Sequence, residues 1–173
     1  MGKKEKIFLV FAIIATIGFL AWSGVRIVKS VQFDTNCKQY IKRAADANTI
    51  ETAKDELSKA ISYAEENNLT QGVVSIFLNQ PKNDIGYWYN NMKESYEELE
   101  NLSEDASPLE KTNVLMKLRE TLTDDKEEGI TVTVPDGIDV YPNNKAFFWW
   151  GWISFILAAA FWILKEVACE CWD

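Results

Sequence analysis

The sequence predicts a mainly α protein in which two transmembrane helices flank a small helical bundle, with room for a short β-hairpin. Three observations carry this. Two long apolar runs lie near the ends of the 173 residues. Between them, apolar side chains recur every three or four positions behind recognisable helix caps. The net charge of −8 is concentrated in that middle segment, where there are about ten more acidic than basic side chains.

Residues 1–6 form a short cytoplasmic tail with Lys3, Lys4 and Lys6. Residues 7–28 read IFLVFAIIATIGFLAWSGVRIV, charged only at Arg26. About 22 helical residues rise about 33 Å, enough to cross a hydrocarbon core. A cleaved signal peptide is the rival reading. It calls for a shorter apolar stretch and a small-x-small exit, which Ala21 and Ser23 barely supply.

Residues 146–164 read AFFWWGWISFILAAAFWIL, without charge. Phe147, Phe148, Trp149, Trp150 and Trp152 crowd the first third, as amphipathic rings do at a membrane interface. Gly151, Ser154 and Ala158 form a small-residue strip, and Ala12, Ala15, Gly18 and Ala21 offer another. Such strips let helices approach closely in lipid, either with each other or with another protein. Lysines ahead of the first span favour a cytoplasmic N-terminus, and a long loop crosses largely regardless of its charge. The expectation is therefore an integral protein of the cell or inner membrane with both ends cytoplasmic. Residues 165–173 are a short tail.

Residues 29–145 form the acidic, water-soluble helical domain. Asp34 is expected to cap a helix starting at Thr35. Asn48 with Glu51 resembles a capping box, placing the next helix near Thr49 with Ile50, Ala53, Leu57, Ala60 and Ala64 buried. Residues 72–78, GVVSIFL, suit a buried strand as well as a helical turn. Asp84 caps a helix whose buried face is Ile85, Trp88, Met92, Tyr96, Leu99 and Leu102. Ser107-Pro108-Leu109-Glu110 starts another, lined by Leu115, Leu118 and Leu122. Residues 130–134 alternate as a strand, turn at Pro135-Asp136-Gly137, and are expected to return through Ile138 to Tyr141 as a hairpin.

Catalytic chemistry is not visible. The chain has no His, which removes the commonest general base and metal ligand together. It shows no phosphate loop, nucleophile elbow or metal-ligand cluster. Asp124 to Gly129 fails as a calcium loop, because Lys126 and Pro135 fall where oxygen ligands are required. Cys169 and Cys171 do not complete a zinc site by themselves, and Cys37 reads as a buried thiol. No catalytic, metal or cofactor residue is therefore assigned.

An acidic surface repels nucleic acid. The expected partners are the lipid bilayer and a membrane or extracytoplasmic protein, with Tyr87 as the candidate contact. Tyr87 belongs to the run Tyr87-Trp88-Tyr89 but points away from the buried stripe. The functional expectation is a non-enzymatic membrane-anchored accessory, scaffold or assembly module. The alternative is a receptor-like sensor binding a small ligand in the bundle. Its span–bundle–span plan is similar to that of bacterial transmembrane sensors in general.

Overall fold

The computed structural model describes residues 2–103, 105–126 and 129–170, and the side chains of 125, 126, 169 and 170 are left aside. The Asp124–Gly129 segment is thus described only in part, and Cys171 lies outside the described residues. The protein is mainly α, with a two-stranded antiparallel sheet. It divides into two compact units, Met1–Lys29 with Asn143–Asp173, and Ser30–Pro142.

The first unit is a helix pair, made by α1 (Lys3–Phe33) and α6 (Asn144–Glu170). Neither contains Pro, and both are long and apolar enough to cross a membrane. Phe11 stacks on Phe161 with ring centroids 5.2 Å apart, and Phe19 meets Phe155 at 5.7 Å. Rising numbers in α1 thus meet falling numbers in α6, so the helices run antiparallel. Gly18 faces Ser154, whose Oγ would lie 3.5 Å from a Cβ built on the glycine. Gly151 is buried and Ala12 fully so, whereas Ala21 is exposed and takes no part. Trp162 Nε1 donates to Thr16 Oγ1 at 3.2 Å, and that hydroxyl donates to the carbonyl of Ala12 at 2.7 Å. The outer faces of the pair carry Ile14, Ile17, Leu20, Ile27, Ile156 and Ile163, each more than half exposed.

The second unit begins inside a continuing helix. Nothing between Val28 and Asp34 breaks a helix, so Asp34 does not cap a new one: α1 passes into a π-helical turn, Asp34–Lys38, and then into α2 (Gln39–Ala45). Asp34 instead accepts from Gln39 Nε2 at 3.1 Å and pairs with Lys38 at 3.9 Å. A π turn inserts an extra residue and so re-phases the helix surface. Here Phe33, Cys37, Ile41, Ala44 and Ala45 come to face the core.

Helix α3 (Ile50–Glu66) is capped by Thr49, whose Oγ1 accepts from Thr52 N at 3.2 Å. The cap is one residue later than Asn48, because Thr49 holds the extended backbone that frees its hydroxyl. Ala53, Leu57, Ala60 and Ala64 are fully buried, as the three-four spacing predicts. The small size of the three alanines lets α2 approach, and Cys37 Sγ sits 3.8 Å from the Ala60 carbonyl oxygen. Asn68 adopts positive φ just after the helix, and Leu69 N closes the end on Ala64 O at 2.7 Å.

Helices α4 (Ile85–Glu100) and α5 (Pro108–Leu122) follow the predicted faces. Ile85, Trp88, Met92, Leu99, Leu118 and Leu122 are buried. Ser107 and Glu110 form a complete capping box.

Two segments depart from expectation. Residues 72–78 are not a buried strand: only Val74 is buried, and Val73 makes an isolated bridge to Asp84. The hairpin is present but uses another partner. Strand β1 (Thr123–Lys126) pairs with β2 (Gly129–Val132), with Thr123 opposite Val132. Residues 138–140 form a 3-10 turn, with Ile138 and Val140 buried. Gly137, at φ 86°, curls the chain there and so ends the extended run.

Candidate interaction surface

The start of α4 is set by one carboxylate. Asp84 has extended backbone, and its Oδ1 accepts from Tyr87 N at 3.1 Å. That fixes the helix phase. Trp88 and Tyr89 turn inward, 6% and 8% exposed, and Tyr87 turns outward at 66%. Trp88 meets Phe33, ring centroids 6.3 Å apart, and Phe33 meets Tyr63 at 6.2 Å. Tyr89 Oη donates to Glu65 Oε1 at 2.6 Å. This hydrogen bond, with partial burial, pushes the Tyr89 phenol up to about 12.

The chain entering α4 is a loop tied at its base. Ile85 N donates to Gly72 O at 2.8 Å, Val74 N to Asn83 O at 3.0 Å, and Asn83 Nδ2 to Ser75 Oγ at 2.7 Å. Gly72 has φ +111°, and a Cβ there would stand 2.9 Å from Cζ of Tyr141. Only glycine allows this backbone and this ring together. The tied ends leave an Ω-like loop whose tip presents Phe77 and Leu78, 70% and 74% exposed.

The same end of the unit receives both of its connections to the apolar helices. Phe33, the last residue of α1, packs on Trp88. Tyr141, three residues before α6 begins at Asn144, packs on Gly72. Tyr87 thus adjoins Trp88 on the first turn of α4, and Phe77 and Leu78 stand on the loop whose base meets Tyr141. The sequence singles out Tyr87. It misses Phe77 and Leu78, because an apolar run alone does not distinguish a buried strand from an exposed loop. Gly72 and Pro81 bounding the run are the only local signal.

In the first unit, the five aromatics at the start of α6 form a ladder. Phe148 lies 5.5 Å from Trp149 and 6.2 Å from Trp152, and Phe147 lies 5.9 Å from Trp150. Trp149, Trp150 and Trp152 are 54%, 40% and 51% exposed. The Phe147 carbonyl accepts from Trp22 Nε1 at 2.8 Å.

Cys37 is fully buried, and desolvation pushes its thiol up to about 12, so it is a poor nucleophile. Glu56, 3% exposed, pairs through Oε1 with Arg43 at 2.9 Å and Lys59 at 3.2 Å. An open groove of about 960 Å³ is lined by Lys54, Asp55, Tyr96 and Glu100 among others. There Lys54 lies 3.5 Å from Glu100, and Asp55 lies 2.7 Å from Lys59. Among the described residues, no group of three or more His, Cys, Asp or Glu side chains is placed to hold a metal ion. No protein-family model, curated protein or solved structure matches this chain.

Proposed function

We propose that this chain is a non-enzymatic membrane-anchored accessory, scaffold or assembly module, and that its helical domain acts on a protein partner held in the same membrane. In this reading α1 and α6 both cross the bilayer. The helix pair supports it, because the side chains left outside the pair are large and apolar, which suits lipid. Both ends lie in the cytoplasm and the acidic domain lies outside, for which the three N-terminal lysines speak. The exposed Trp149, Trp150 and Trp152 then sit at the interface next to the domain.

The observation that carries the partner is the position of Tyr87. An exposed aromatic ring on a rigidly capped helix start is the kind of anchor that protein interfaces favour. The anchoring of the domain by α1 and α6 favours a partner that is itself in the membrane. A photo-crosslinking residue at position 87 of the full chain tests this. A discrete crosslinked membrane protein, lost when the probe is moved to exposed Glu120, is the expected result. A small ligand that raises the melting temperature of the purified chain, with no crosslinked partner, favours the sensor alternative and the groove beside Tyr96.

A further inference from the structure

We propose that the cleft between α2 and β2 binds a small dianionic oxyanion, either a phosphate or a dicarboxylate. The site lies wholly within the second unit, and it stands apart from the membrane reading. The cleft is open, with a volume of about 520 Å³, and Lys38, Lys42 and Arg43 line one side of it. Positions 38 and 42 are one helical turn apart, which puts their side chains on one face. The domain around them is strongly acidic, yet among the described residues Asp34 is the only carboxylate that lines the cleft. Its two oxygens are engaged by Gln39 Nε2 at 3.1 Å and Lys38 Nζ at 3.9 Å. Lys42 is exposed and has no ion pair among the described residues.

Two features distinguish this cleft from a solvated basic face. The first is that Arg43 is held in place. Its Nη2 lies 2.9 Å from Oε1 of the buried Glu56, and Lys59 shares that oxygen at 3.2 Å. The carboxylate is thus divided between two cations, and the guanidinium fork keeps further N–H donors for a ligand. The second is the opposite wall, which is a strand edge made by Ile130, Thr131 and Val132. Thr133 N donates to Leu122 O at 2.9 Å, so in an antiparallel ladder the odd-numbered residues of β2 face β1. The N–H groups of Ile130 and Val132 point to the other edge. The cleft lies along that edge, since β2 lines it and β1 does not. Backbone donors set opposite cationic side chains are a recurring way to hold an oxyanion. The helix dipole accounts for basic residues at 42 and 43, in the last turn of α2, but not for Lys38 or for the strand edge.

Amide NMR of the full chain in detergent micelles tests this. Sodium phosphate and, separately, sodium succinate are added above neutral pH, with chloride holding the ionic strength constant. The expected result is a saturable shift of the Ile130 and Val132 amides. Saturation by phosphate alone identifies a phosphoryl ligand, and saturation by succinate alone identifies a dicarboxylate. Lys42→Gln, an exposed change that should leave the fold intact, is expected to weaken the binding by about tenfold. Lys93→Gln removes an equal charge from an exposed position on α4 and should leave the binding unchanged. Shifts that merely follow chloride overturn the proposal. So do saturable shifts that spare Ile130 and Val132, or binding weakened equally by Lys42→Gln and Lys93→Gln, which would reflect overall charge alone.

Discussion

Gly151 gives up a side chain so that Trp22 can lie against its backbone. A Cβ at Gly151 would come within 2.6 Å of the indole Cε2, while the indole N–H reaches the Phe147 carbonyl at 2.8 Å. Closeness and hydrogen bond therefore depend on the same absent methyl. Gly151→Leu should force the indole away and weaken the helix pair by about 1–3 kcal/mol, the range for overpacking. Ala21→Leu, on an exposed site of α1, should change stability by no more than about 0.5 kcal/mol. Unfolding of the full chain in mixed micelles compares the two.

Trp88 and Tyr87 are neighbours that face opposite ways, one buried and one exposed. Trp88→Ala should cost about 3–5 kcal/mol, because it empties a site between Phe33 and the α4 core. Tyr87→Ala should stay within about 0.5 kcal/mol while losing the proposed partner. Chemical denaturation and co-purification, run on both variants, separate packing from recognition.

Gly72→Ala combines a strained φ of +111° with a collision against the Tyr141 ring. It should destabilise the second unit by about 1–3 kcal/mol. Adding Tyr141→Ala removes the collision but not the strain. The double variant should therefore lose less than the sum of the single losses, and a denaturation cycle measures the difference.

The Tyr89–Glu65 hydrogen bond carries a pH signature. The folded phenol titrates near 12 rather than at the usual 10.0, so folding favours the protonated ring. The contribution is complete below about pH 10 and declines as the pH rises towards 12, because the unfolded chain ionises first. Tyr89→Phe should lower stability by about 1 kcal/mol at neutral pH. The gap from the parent chain should close between pH 10 and 12. Urea unfolding of both chains across that interval tests the sign.

The helices were legible because their signals are local. Ser107 with Glu110 announces a start, Asp84 sets the phase of α4, and Ala53 to Ala64 repeat at helical spacing. Where the reading failed, the deciding information was absent from the segment itself. Asp34 looks like a cap, but α1 has no reason to stop before it. The strand partner of residues 129–132 is Thr123–Lys126, a charged stretch without strand periodicity. Phe77 and Leu78 resembled core because their apolar character is real. Only the loop closure between Gly72 and Ile85 turns them outward. Tyr87 was accessible to sequence reasoning because its helix was, and the loop beside it was not.

The claim on which the functional reading depends is that both apolar helices cross the bilayer and leave the domain alone on the outer side. An impermeant thiol reagent applied to intact cells tests it, using a chain with Glu120→Cys added to the natural cysteines. Cys37 is buried with a thiol near 12 and stays silent while the domain is folded. Labelling is expected at position 120 in sealed cells, and at Cys169 and Cys171 only after the membrane is opened. Labelling of position 120 and the tail pair from the same side would contradict it, because α6 would then not cross.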